Sequence, residues 1–159
     1  MTTKITPNGP AILGVSEIEN ASVLNDLVRD PQIRRWGLQI VHHDSPDRRG
    51  VDVGLLYNPR YFEVVNVTNH LLSIPDNPDF RSRDQMCVVG KLGGEPFAVG
   101  VNHWPSRLAG LQPSAHFALA SPQLSQHLPQ SLCVIDTPRD VHTHGALHCR
   151  HSDTSHPHP

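Results

Sequence analysis

Apolar residues recur along the chain in short runs, separated by stretches rich in proline, glycine and charged residues. "AILGV", residues 11–15, is a continuous apolar run of the length of a buried strand. Val23, Leu24, Leu27 and Val28 then recur at helical spacing, and Pro31 stands just past them, which predicts a helix over about 20–29. "WGLQIVHH" alternates like a strand. "DSPDRRG" is a loop by composition, since Asp, Ser, Pro and Gly each favour turns. "VDVGLLY" and "FEVVNVTNHLLSI" are two further strands, and "PDNPDFRSRD" is a polar loop. "QMCVVGKL" and "PFAVGVNHW", joined across Gly93 and Gly94, predict a hairpin. One helix among mostly antiparallel strands predicts an α+β (α/β) class with a mixed sheet.

The pattern changes after Arg107. Residues 108–159 carry eight of the twelve histidines, no lysine, and Phe117 as their one aromatic residue. Asp136, Arg139, Asp140, Arg150 and Asp153 are the five charged residues in that stretch. "FALASPQLSQHLPQSLCVI" has room for a short helix, interrupted at Pro122 and Pro129. "VHTHGALHCRHSDTSHPHP" has neither helix nor strand period, which predicts disorder. Loss of charge together with a crowd of His, Pro and Ser also reads as translation in a shifted frame. The expected organisation is a partial domain over 1–107 followed by a His/Pro/Ser-rich tail over 108–159.

Composition narrows the function classes. A net charge of −2 gives no overall basic footprint for nucleic acid, although a local cationic groove remains open. Cys87, Cys133 and Cys149 form no CxxC pair and read as separate thiols. No apolar run approaches the ~18 residues of a membrane span. The N-terminus lacks the apolar segment of a signal peptide, so the chain as written is expected to be cytoplasmic.

Several polar residues stand where chemistry is feasible. Glu17 and Glu19 follow the first strand. They read either as oxygen ligands for Mg²⁺ or as surface acids at a helix start. His42, His43, Asp44 and Asp47 form a ligand-type cluster or an ordinary polar loop, with Arg48 and Arg49 as candidate phosphate forks. Asp52 lies inside an apolar strand, where a carboxylate must be paired, face a cleft or alternate outward to water. His103 ends the hairpin, where a histidine either serves a leaving oxygen or packs structurally beside Trp104. Ser106 and Arg107 are polar supports there. His142, His144, His148 and His151 have spacings that bind Ni²⁺ or Zn²⁺ loosely, or are an accidental tract.

Taken in order, "PAILGVSEIENASVLNDLV", "IVHHDSPDRRGVDVGLLYNPRYF" and "RDQMCVVGKLGGEPFAVGVNHWPSR" resemble the endonuclease/exonuclease/phosphatase family, the group of DNase I, exonuclease III and sphingomyelinases. The likeness covers about residues 10–107. It implies part of a two-layered β-sandwich flanked by helices, and hydrolysis of phosphodiesters or phosphomonoesters with Mg²⁺ (or Mn²⁺). It also implies a phosphate-ester substrate, nucleic acid among the options. Glu17 then matches the metal-binding glutamate and His103 the histidine at the scissile phosphate or leaving group. Asp52 and Arg49 fall near the catalytic cleft, and Glu19 and Asn20 support the first motif.

The family's later Asp-x-Asn segment, its terminal Ser-Asp-His and its first strand have no counterpart in the sequence. This chain is therefore expected to be weakly active or inactive. The competing expectation is a non-catalytic fragment acting through protein–protein contacts, because a truncated sheet exposes its edges.

Overall fold

The computed structural model describes residues 7–71, 79, 81–103, 131–136 and 147–151, the last two segments by backbone alone. The chain begins with β1 (Ile12–Ile18), α1 (Ala21–Arg29) and a 3₁₀ turn at Arg34–Trp36. Seven strands follow: β2 (Gln39–His42), β3 (Asp52–Tyr57), β4 (Phe62–His70), β5 (Gln85–Leu92), β6 (Glu95–Asn102), β7 (Ser131–Asp136) and β8 (Leu147–His151). They form two sheets, β1-β3-β2 and β4-β5-β6-β7-β8. Every pair is antiparallel except β6–β7. The expected α+β sandwich with a mixed sheet is the observed architecture.

Alternation along β3 sorts its residues into two cores. Val53 and Leu55 face the larger sheet and pack with Phe62, Met86, Val88, Val99 and Val101. Leu56 faces the other way, with Leu24 of α1, Trp36 and Leu38. The layers are therefore helix, small sheet, large sheet. α1 sits close because Gly54 has no side chain: a Cβ there would meet Leu24 at 3.0 Å. The Asn20 side chain caps α1 by accepting from the backbone N–H groups of Ser22 and Val23.

The Gly93–Gly94 hairpin is present, with φ of 61° and 94°, the left-handed backbone such turns require. Other boundaries differ from expectation. β1 runs on to Ile18 because pairing with β3 continues through the polar residues. β2 starts at Gln39 rather than Trp36, since Trp36 closes the 3₁₀ turn and enters the core beneath the helix.

β7 lies where the residues left room for a short helix, and β8 lies in the stretch expected to be disordered. β7 pairs with β6 and β8 with β7, setting Cys133 opposite Cys149 in register. Backbone groups pair whatever the side-chain period, so an existing sheet edge recruits strands that no alternation announces. The remainder of 104–159, including Trp104, Ser106 and Arg107, lies outside the described residues. Among the described residues no helix is long and apolar enough to cross a membrane.

Candidate active site

Five strand ends meet at one end of the two sheets: the C-termini of β1, β2 and β6 and the N-termini of β3 and β5. Glu17 comes from β1. The β1–β3 register shifts between Ser16 and Ile18, and Glu17 itself has φ 59°, the one non-glycine residue with positive φ among those described. A left-handed conformation costs an ordinary residue about 1–2 kcal/mol, and such outliers gather at functional sites. The bulge re-aims the side chain, so Glu17 and Glu19 do not share a face as simple alternation suggests. Glu17 alone reaches the site, where its Oε1 lies 3.5 Å from Nε2 of His103. The Glu17 side chain is 63% exposed and that of His103 only 6%. A gap of 3.5 Å is an ion-pair contact, long for a direct hydrogen bond.

Asp52 opens β3 and is buried, so the option of an outward-facing residue is wrong here. Its Oδ1 accepts from the backbone N–H and the hydroxyl of Ser45, at 2.9 and 2.5 Å. Its Oδ2 faces Nε2 of His42 at 3.5 Å. Backbone pairing sets Asp52 against Ile18, one residue past Glu17, yet the Asp52 side chain turns to the β2 side.

Arg49 is engaged within its own loop. Its guanidinium clasps Asp47 through Nε to Oδ1 at 3.3 Å and Nη2 to Oδ2 at 3.1 Å, and its backbone N–H also donates to Oδ1. The 44–50 loop is thus folded around a buried carboxylate.

Patterning missed three contributors. Arg83, with its side chain 3% exposed, places Nε 3.4 Å from Asp47 Oδ2 and donates from Nη1 to the His103 carbonyl at 3.4 Å. Arg83 thereby ties the 44–50 loop to the strand end that carries His103. Asp84 pairs with Nε2 of His43 at 3.4 Å. The register of β7 sets Asp136 opposite Asn102, level with the residue before His103. "RSRD" and "CVID" carry no spacing that marks these residues; only pairing between distant strands brings them in.

The two buried carboxylates respond differently. Burial alone would raise Asp47, but the hydrogen bonds from Arg49 and the charges of Arg83 and Arg49 outweigh it and hold the carboxyl below its ordinary range. Burial pushes Asp84 up, and the Asp52 charge adds to this against the partial opposition of His43 and His70. Burial likewise pushes the Cys87 thiol up, so it is no candidate nucleophile.

Magnesium prefers oxygen ligands and often takes only one or two carboxylates plus water. The exposed Glu17 carboxylate, fixed by a bulge beside a buried histidine, fits that demand. His42, Asp44 and Asp52 form a second grouping, each bringing one ligand atom within 4.8 Å of the others.

The profile of the Endonuclease/Exonuclease/phosphatase family matches residues 1–156. No curated protein matches. Among solved structures, TDP2 of D. rerio complexed with single strand DNA product is similar at a TM-score of 0.55 and 13% identity, over 80% of this chain and 46% of that one. The human Nocturnin catalytic domain with bound sulfate anion gives 0.53 and 18%, over 83% and 52%. The mannosyl-6-phosphatase Bt3783 of Bacteroides thetaiotaomicron VPI-5482 gives 0.52 and 16%, over 79% and 50%. At these identities the likeness is one of fold, and the chain spans about half the length of those structures.

Proposed function

We propose, from the premise that the chain belongs to the Endonuclease/Exonuclease/phosphatase family, that it hydrolyses phosphate esters at the Glu17–His103 end of the sandwich. The observation that carries this reading is the convergence of the two side chains from different sheets to 3.5 Å. Glu17 would hold a divalent ion, with Mg²⁺ suited to its single exposed carboxylate. Such an ion, when bound, supplies Lewis-acid polarisation of the phosphoryl group.

The protein's own residues do the rest. His103 presents Nε2 toward the space beside Glu17, where it donates a hydrogen bond to a phosphate or leaving oxygen. Burial of its ring holds that donor in place, and Arg83 fixes the His103 backbone through the carbonyl. Asp52 and the Asp47–Arg49–Arg83 knot act as positioning groups that hold the 44–50 loop against the site.

The fold does not choose the ester. The similar structures include one complexed with a single strand DNA product and a mannosyl-6-phosphatase.

The test is Mg²⁺-dependent hydrolysis of bis-p-nitrophenyl phosphate and p-nitrophenyl phosphate by the chain and its variants. A low, EDTA-sensitive rate is expected, falling roughly a hundredfold or more in Glu17→Gln and in His103→Ala. A rate unchanged in either variant refutes the assignment of that residue.

A further inference from the structure

We propose that His42, Asp52 and Asp44 form a second divalent-metal site, independent of Glu17 and selective for a zinc-type ion over Mg²⁺.

The site is built by β2 and β3. His42 is paired with Gly54, and Asp52 lies two residues earlier on the same face of the neighbouring strand, so the two side chains meet diagonally. Both side chains are 6% exposed. His42 Nε2 is buried with no hydrogen-bond partner, an arrangement native proteins rarely leave unanswered. It faces Asp52 Oδ2 at 3.5 Å.

Two ligand atoms about 2.0–2.1 Å from one tetrahedral ion lie roughly 3.4 Å apart, a separation that the 3.5 Å gap accommodates.

The surroundings match as well. The two hydrogen bonds from Ser45 occupy Oδ1 of Asp52 and fix the carboxylate while Oδ2 faces the histidine. This is the support a metal-binding carboxylate characteristically receives. Asp44 is the third donor. Its side chain is 87% exposed and its Oδ1 lies 3.7 Å from Nδ1, the other ring nitrogen of His42, so joining an ion at Nε2 requires it to swing round the ring edge, which its exposure allows. A mixed nitrogen and oxygen set suits Zn²⁺ or Mn²⁺, whereas Mg²⁺ takes oxygen. Three protein ligands leave a fourth position for water or a phosphate oxygen.

Co²⁺ is the probe, because a tetrahedral Co²⁺ site absorbs visibly. The full chain is titrated alongside His42→Gln, Asp44→Asn, Glu17→Gln and a tail variant with His142, His144, His148 and His151 all changed to Gln. The expected result is one equivalent of absorbing Co²⁺, displaced by Zn²⁺ but not by equimolar Mg²⁺. It should persist in Glu17→Gln and in the tail variant and vanish in His42→Gln. Asp44→Asn, at an exposed position that folding tolerates, is expected to weaken binding at least about tenfold. If His42→Gln fails to fold, Asp44→Asn decides. Absence of the band in the full chain, its survival in His42→Gln, its loss in the tail variant, or unchanged affinity in Asp44→Asn overturns the proposal.

Discussion

Asp47 and Asp84 lie at the same end of the sandwich and are almost equally buried, at 8% and 9% exposure. Burial drives both toward the neutral acid, yet the outcomes are opposite. Asp47 is met by two guanidinium groups and a backbone N–H, and stays ionised below its ordinary range. Asp84 is met by His43, with the Asp52 carboxylate acting against it, and is pushed up. A planar guanidinium supplies permanent charge and fork geometry that an imidazole does not. The Asp47 region is therefore a scaffold, complete within the protein. The Asp84–Asp52–His42 region holds excess negative charge and reads as a place for a cation.

The largest test of this contrast removes the buried cation from the scaffold. Arg83→Met leaves Asp47 with only half-exposed Arg49, and breaking a buried pair costs about 3–5 kcal/mol. Urea unfolding at pH 7 measures it, and a cost under about 1 kcal/mol breaks the comparison. Asp47 has a lowered folded pKa, so its contribution is present above the ordinary value of 3.8 and is lost as pH falls through the folded value. The Arg83→Met penalty should accordingly shrink in acid.

A smaller effect of opposite sign is expected at Asp84. Its raised pKa means that its contribution is present below 3.8 and lost as pH rises through the folded value. In metal-free protein at pH 7, Asp84→Asn should therefore stabilise by about 1 kcal/mol, with no gain at pH 3. Thermal melts of the two proteins at both pH values measure this. Destabilisation at pH 7 would mean that the His43 pair outweighs burial.

The smallest change is at the solvent face of the scaffold. Arg49→Ala should cost under about 1 kcal/mol, since its side chain is 50% exposed and water screens the pair. A cost equal to that of Arg83→Met would show that the buried and exposed guanidinium groups are not distinct in role.

Much of the fold was legible in residue order. The β5–β6 hairpin follows from apolar runs flanking Gly93–Gly94, and α1 from the spacing of Leu24 and Leu27 behind Asn20. Local periodicity and turn chemistry act over a few residues, and so appear in the sequence directly. β7 and β8 were not legible, because an edge of the larger sheet, rather than their own alternation, sets their pairing. The site divides in the same way. Glu17 and His103 stood out through motif resemblance, and their 3.5 Å approach joins residues from two sheets. Arg49 read as a candidate phosphate fork, and folding engages its guanidinium with the buried Asp47.

The sequence by itself determined which segments become strands and helix, which faces of them are apolar, and which residue types stand at the strand ends. Tertiary structure alone decided how those ends are used. It placed a bulge at Glu17, set Arg83 between Asp47 and the His103 carbonyl, and left Asp52 with one oxygen bonded to Ser45 and the other facing His42. The physical reason is range. Hydrophobic period and turn preference are local properties of the chain, whereas the charge environment of a buried carboxylate is fixed by groups that only folding brings within a few ångströms.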